Sequence, residues 1–261
     1  MRSLPMRSRE QLRLVSDLAA TGKSPLAISR ATGIPRSTIR DWLAGRVPNG
    51  GAVDEPACSA CGAPQHRFDS LPPEYVYLLG LYLGDGCISA HPRGVYRLRV
   101  FFDARYPEII AAAEAAVRRV FPANRINRVS RSGGYENSAP HSNVELSVYS
   151  KALPCLFPQH GPGRKHERRI ALEEWQRGLV ERHPEQLLRG LIHSDGCRFV
   201  NTGRNWRHPR YSFSNHSEGI RAIFCDACDL VGVRWTTAPR TVYVSRVRDV
   251  ALLDEFIGPK N

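Results

Sequence analysis

Two aspartates stand at the ends of matching apolar segments, each directly before a glycine: Asp85 in LLGLYLGDGCIS over 78–89, and Asp195 in LLRGLIHSDGCRF from Leu187. Gly80, Leu81, Asp85, Gly86 and Cys87 of the first segment match Gly190, Leu191, Asp195, Gly196 and Cys197 of the second. Each segment opens with a Pro-Glu pair, Pro73-Glu74 and Pro184-Glu185, which suits a first helical turn, and Gly86 and Gly196 read as helix stops. Glycine inside a helix costs about 1 kcal/mol relative to alanine, so Gly80 and Gly190 predict that two helix backbones approach closely there. Such a pair would bring Asp85 and Asp195 together at helix C-termini. The macrodipole is already negative at that end, so the site calls for a cation. The two carboxylates with the carbonyls of Gly84 and Ser194 make an oxygen-rich set suited to magnesium, a hard ion that also contacts phosphate. An Asp-Gly step is a common helix ending, but its presence at equivalent positions of two copies favours a functional pair.

Beyond each motif the same succession follows. In the first copy YRLRVFF reads as a strand, EIIAAAEAAVRRVF as a helix, VELSVYSK as a strand and ALPCLF as a short helix. In the second, YSFSN, EGIRAIFCDACDLVGV, TVYVSR and DVALLDEF take the same order. With the run straight after the motif as a first strand, each copy reads as αββαβ with a final helix. Lys151 and Arg246 close corresponding strands, and a lysine stands 14 positions later in both copies, Lys165 and Lys260, which predicts an in-register basic pair.

Two further clusters lie N-terminal to the duplication. CSACGAPQH offers Cys58, Cys61 and His66, three ligands of a zinc type, because a Cys-x-x-Cys turn points both sulfurs at one ion. A fourth ligand is missing from the neighbouring sequence. The other Cys-x-x-Cys, Cys225 and Cys228, falls in an amphipathic helical run and reads as core. In SPLAISRATGIPRSTIRDWLAG, Ser24 and Pro25 form a helix start, and Gly33 permits a sharp turn. Leu26, Ile28 and Ala31 are expected inward on one helix, and Ile39, Trp42 and Leu43 on the next, which opens at Pro35 or Ser37. The segment resembles a helix-turn-helix at Ala27, Gly33, Ile34, Ile39 and Trp42, with a leading helix over Arg9 to Ala20. The resemblance implies a reading helix whose outward Arg36, Ser37, Thr38 and Arg40 suit phosphates and base edges.

The paired motifs, Leu78 to Gly86 and Leu188 to Gly196, with the wider repeat over Leu71 to Asn261, resemble the LAGLIDADG homing endonucleases. The resemblance implies an α+β fold: a duplicated αββαββα domain whose antiparallel sheets form a basic saddle over double-stranded DNA, preceded by a small all-α helix-turn-helix domain. It also implies divalent metal at Asp85 and Asp195 (magnesium, with Gly84 and Ser194 as further oxygen donors) and basic assistance from Lys165 and Lys260. Arg97, Arg99, Arg128, Arg131, Lys151, Arg210, Arg240 and Arg246, on or near strands, are the candidate saddle contacts. Trp206, Tyr211 and Trp235 are expected in the core. The first acid of the motif is absent, with Leu83 and His193 in its place. The fused helix-turn-helix is similar to bacterial regulators of the WhiA type. A metal-dependent double-strand endonuclease and a non-catalytic transcriptional regulator are therefore both carried forward. An intein remnant is disfavoured, because no suitable His-Asn ending is present.

Composition agrees with a nucleic-acid partner. Lys+Arg 37 against Asp+Glu 25 gives +12 and a pI of about 9.8, enough to attract a polyanion by counterion release. The 42% hydrophobic and 24% charged content argues against wholesale disorder and fibrous architecture. Seven cysteines without a secretory signal read as reduced thiols or metal ligands. No segment approaches the roughly 20 apolar residues of a membrane span. The expectation is a cytoplasmic, nucleoid-associated monomer with internal pseudo-twofold symmetry. Its expected parts are residues 1–46 (helix-turn-helix), 47–70 (linker with the zinc-type insert, Zn2+ as its ion), 71–178 (repeat 1) and 179–261 (repeat 2).

Overall fold

The structure of the protein, a computed structural model, describes residues 9–45, 58–62, 66–133 and 141–258. The chain divides into two compact units, Met1–Pro56 and Ala57–Asn261.

In the first unit, three helices, α1 (Arg9–Ala20), α2 (Pro25–Thr32) and α3 (Arg36–Leu43), enclose Val15, Ile28, Ile34, Ile39 and Trp42. Ser24 caps α2 by accepting from the Ala27 N–H at 3.3 Å, and Gly33 ends it in the left-handed conformation at φ 68°. The Ser29 hydroxyl donates to the Ile34 carbonyl at 2.6 Å and pins the turn before Pro35 opens α3. The inward set is smaller than expected. Leu26 and Leu43 are 44% and 43% exposed, and Ala31 is exposed, because an eight-residue helix in a three-helix unit has only one or two turns to bury. Arg36, Ser37 and Arg40 are exposed on α3, and Thr38 is half-buried.

The second unit contains two copies of one αββαββα pattern. The first runs α4 (Pro73–Leu83), β1 (Cys87–His91), β2 (Val95–Asp103), α5 (Pro107–Val120), β3 (Ile126–Gly133), β4 (His141–Ser150) and α6 (Leu153–Leu156). The linking helix α7 (Glu174–Arg182) follows. The second copy runs α8 (Pro184–Asp195), β5 (Gly196–Gly203), β6 (Trp206–Ser214), α9 (Glu218–Leu230), β7 (Thr236–Ala238), β8 (Thr241–Val244) and α10 (Val247–Ile257). Each copy forms a four-stranded antiparallel sheet of the same order, β1-β2-β4-β3 and β5-β6-β8-β7. Periodicity alone misses β3 and β7, because INRVSRSG and TTA are edge strands with little apolar alternation. Neither repeat pattern includes the linking helix α7, which crosses the expected repeat boundary at 178/179.

One face of each sheet packs into the core. Leu98, Val100 and Phe102 alternate on β2, and Val144, Leu146 and Val148 face them from β4; Tyr211, Phe213, Val242 and Val244 do the same in the second copy. Cys225 and Cys228 are buried on α9, as read. Tyr211 is core, but Trp206 is 45% exposed on the opposite sheet face, stacked on His208.

The centre of the unit is the α4·α8 pair. Every residue of α4 from Tyr75 to Leu83 is buried, which makes it a helix apolar on all sides. A Cβ on Gly80 would lie 2.7 Å from the Leu187 carbonyl oxygen and 2.9 Å from the Gly190 Cα; one on Gly190 would strike the Tyr77 carbonyl. The two glycines are therefore the crossing point, as their placement in the sequence predicts. Gly190→Ala should lower stability by about 2–3 kcal/mol in urea denaturation, because the methyl group meets backbone that has no rotamer with which to yield.

Candidate active site and nucleic-acid interface

The glycine crossing brings the C-terminal ends of α4 and α8 together. Gly84 and Ser194, the residues before the two acids, lie face to face: a Cβ on Gly84 would clash with the Ser194 hydroxyl and stand 3.2 Å from Asp195 Oδ2. Three carbonyls of the last turn of α4 have no intrahelical donor, and one side chain takes all three. Lys165 Nζ donates to the carbonyls of Leu83 at 2.9 Å and Gly84 at 2.8 Å, and also to that of Tyr82, and it lies 4.9 Å from the Tyr82 ring centroid. The cation demanded by the paired helix ends is thus supplied, at least in part, by the chain itself.

Burial pulls the Lys165 ammonium down from its ordinary 10.5 to about 8, while Asp195 and then Asp85 act in the opposite direction by favouring its charged form. Both acids therefore bear on one buried ammonium, although they come from different copies. Their surroundings differ. Asp195 is half-buried and accepts a 2.5 Å hydrogen bond from the Asn215 amide. Asp85 is exposed and lines a cavity of about 200 Å³ with Phe102, Asp103, Tyr106, His193 and Ser194. The strand register accounts for the difference. Cys87 pairs with Arg99 and Cys197 with Ser212, so Phe102 occupies in copy one the place of Asn215 in copy two. Motif reading does not single out Asn215 or Asp103, since neither lies in the two glycine- and aspartate-bearing helix segments. The only signal is their place at the ends of the strands that follow them.

The positions where the motif's first acid is missing are both buried in the helix pair. His193 Nε2 lies 2.8 Å from the Ile257 carbonyl, which can only accept, so the proton is inferred on Nε2; Nδ1, 2.9 Å from the Tyr77 hydroxyl, is then its acceptor. His193 thereby ties α8 to α4 and α10.

Other expected residues are placed as follows. Lys260 lies outside the described residues. The expected match of Lys151 with Arg246 is shifted by one: Arg99 pairs with Ser147 and Ser212 with Tyr243, which sets Lys151 against Val247 and Arg246 against Ser150. A linear count assumes equal loops, and only the ladder fixes register. Of the two candidate carbonyl ligands, that of Gly84 accepts from Lys165; the Ser194 hydroxyl, distinct from its carbonyl, donates to the Gly190 and Leu191 carbonyls at 3.1 and 3.0 Å. Cys58, Cys61 and His66 are brought together, with Cys155 of α6 beside them.

The sheet faces away from the core are polar, charged and aromatic. Arg97 donates to Glu145 at 2.5 Å and Ser147 at 3.1 Å and lies over Tyr149. Arg99 lies over Phe101, which is 39% exposed, and Arg210 over Tyr243 while donating to the Ser245 hydroxyl at 2.8 Å. Lys151, Arg240 and Arg246 are exposed at strand ends and turns. Arg128 pairs with the core residue Leu146, so it belongs to the helix side of its sheet and not to the outward face expected to carry DNA. The Arg131 side chain lies outside the described residues.

These features define a two-repeat LAGLIDADG-type fold. No family model and no curated protein matches the sequence. Among solved structures, the chain is similar to the N-terminal LAGLIDADG domain of DUF199/WhiA (14% identity, TM-score 0.45), covering 74% of this chain and 89% of that one. It is also similar to the homing endonuclease I-WcaI bound to its DNA recognition sequence (14%, TM-score 0.47, covering 72% and 82%). A third is the meganuclease I-SmaMI bound to uncleaveable DNA (9%, TM-score 0.38, covering 72% and 83%). The fold is read from the chain's own duplicated topology. No helix among the described residues is long and apolar enough to cross a membrane.

The convergence of the acids has a titration signature. Asp85→Asn and Asp195→Asn should each lower the Lys165 pKa below the wild-type value of about 8, followed by NMR of the Lys Nζ or Cε resonance. Because the folded pKa lies below the ordinary 10.5, the unfolded chain binds the extra proton between those values. Wild type should therefore gain stability relative to Lys165→Met as pH rises from 8 toward 10.5, measured by chemical denaturation at each pH.

Proposed function

We propose that this chain is a sequence-specific binder of double-stranded DNA that hydrolyses phosphodiesters on both strands with divalent metal. What supports this reading is the approach of the two acid-bearing helix ends, Gly84 against Ser194, with the Lys165 ammonium on the α4 end and both Asp195 and Asp85 favouring its charged form. Their carboxylates offer the hard oxygen donors that suit magnesium, and they would hold it. A bound ion of that kind supplies Lewis acidity to a phosphoryl oxygen and lowers the pKa of water. Lys165 contributes positive charge where a phosphate's negative charge grows as water adds and an ester oxygen leaves. Asn215 orients Asp195 through its amide. The arginine and aromatic faces of the two sheets would carry the duplex, through phosphate contacts and stacking contacts respectively.

Purified protein with magnesium and a randomised or genomic DNA library should give double-strand cuts. Asp85→Asn and Asp195→Asn should each lower the rate by about 10²-fold or more. Absence of cleavage by wild type under every metal condition would remove the nuclease reading. On a bound site, Arg210→Ala should reduce the slope of log K against log salt by about 1, as loss of one phosphate contact does. Arg128→Ala, on the helix side, should leave that slope unchanged.

A second reading, a transcriptional regulator using the same saddle without cutting, is favoured by the N-terminal three-helix unit. There α2, the Gly33 turn and α3 form a helix-turn-helix in which Arg36, Ser37 and Arg40 are exposed for DNA and Thr38 flanks them. Genome-wide occupancy separates the two: a regulator collects at promoters, and a homing-type nuclease at a single long site.

A further inference from the structure

Four soft ligands from distant parts of the sequence come together at the start of the second unit. Cys58, Cys61, His66 and Cys155 each present one ligand atom, and all four atoms lie within 4.8 Å of one another. The Cys58 and Cys155 sulfurs are 3.8 Å apart across 97 residues of chain, and Cys61 Sγ is 3.2 Å from His66 Nε2. A tetrahedral ion with metal–sulfur bonds of about 2.3 Å and a metal–nitrogen bond of about 2.0–2.1 Å sets its ligand atoms roughly 3.5–3.8 Å apart, close to the 3.8 and 3.2 Å separations of the two pairs and about 1 Å inside the 4.8 Å that bounds the whole cluster. The 3.8 Å sulfur separation is far beyond the ~2.05 Å of a disulfide.

The local backbone is shaped to the same end. The Gly62 N–H donates to the Cys58 carbonyl at 2.8 Å, and Gly62 adopts a left-handed φ of 66°, which closes a tight turn from Cys58 to Cys61. A zinc ion takes its sulfur ligands as thiolates, so binding here would displace the thiol protons.

From this juxtaposition we propose that Cys58, Cys61, His66 and Cys155 bind one zinc ion as a closed, four-coordinate structural site. With four protein ligands no position is left for water or substrate, so the ion acts as a staple and takes no part in chemistry. What it staples follows from the neighbours. The His66 ring lies 5.3 Å from Phe68, which stacks on Trp175 of α7 at 4.2 Å; Trp175 in turn lies 5.6 Å from Tyr75 in the first turns of α4. The Tyr75 hydroxyl donates to the Leu156 carbonyl at 2.6 Å, one residue beyond Cys155. Phe157, which follows, contacts both Tyr75 and Tyr82, the latter at 4.8 Å. The ion would thus fix residues 58–62 and 66–68 and helix α6 against α4, and α6 leads into the loop that carries Lys165.

Full-length protein without an affinity tag, expressed with zinc present, should carry one zinc per chain by elemental analysis. Zinc-edge X-ray absorption of that wild-type sample should show three sulfurs at about 2.3 Å and one nitrogen at about 2.0 Å. Cys155→Ser should weaken zinc retention against a competing chelator by more than the roughly 10–100-fold typical of outer-shell changes. His66→Cys should keep the ion with four sulfurs, and Cys197→Ser, an exposed cysteine outside the cluster, should keep one zinc per chain. Metal-free protein from zinc-replete cells would overturn the assignment, as would an absorption spectrum with only two sulfurs or a Cys155→Ser protein that retains zinc like wild type. Because the absorption measurement is made on wild type, the assignment stays testable even if a variant fails to fold.

Discussion

The close approach of two helix backbones at Gly80 and Gly190 is the constraint from which the rest of the second unit follows. Helices normally pack 8–10 Å apart, held off by side chains, and a glycine pair removes that spacer. Once the crossing is fixed, the two C-terminal ends must converge, and with them the residues that end each helix. Gly84 against Ser194 is the same contact repeated one turn on. Two helix C-termini side by side concentrate unpaired carbonyls and, with the aspartates, negative charge. Lys165 answers that field from the loop after α6, at the cost of burying its ammonium.

Duplication gives this centre near-symmetry, and the differences between copies are as informative as the likeness. Asp195 is anchored by Asn215, whereas its counterpart Asp85 has Phe102 at the equivalent place and opens on a cavity that Asp103 also lines. Lys165 sits on the end of α4. The loss of the motif's first acid is explained in the same terms. Those positions face the helix interface, where Leu83 adds apolar contact and His193 links three helices through a phenol and a carbonyl.

Much of this was legible in the residues themselves, and the physical reasons can be named. The glycines were legible because a helix accepts them only for cause, and the two aspartates because they recur in register. The three N-terminal helices were legible through Ser24, Pro25 and Gly33, which are local signals satisfied within a few residues. Helix faces were harder. Leu26 and Leu43 fit an inward stripe by spacing yet are exposed, because burial depends on how much partner surface a three-helix unit offers. The edge strands β3 and β7 were invisible to alternation, since their conformation comes from pairing with β4 and β8.

The sequence by itself determined the duplication, the helix pair, the acids at its end and the basic balance, all of which follow from residue type and short-range spacing. Tertiary structure alone decided what meets across long separations. It selected Lys165 as the cation on α4, Asn215 as the partner of Asp195, and Cys155 as the fourth member of a cluster begun 97 residues earlier. It also shifted Arg246 by one place against Lys151 and turned Arg128 to the helix side, because strand register is set by ladder pairing and not by counting along the chain. Contacts of this kind depend on loop lengths and on the packing of whole elements, which no local pattern encodes.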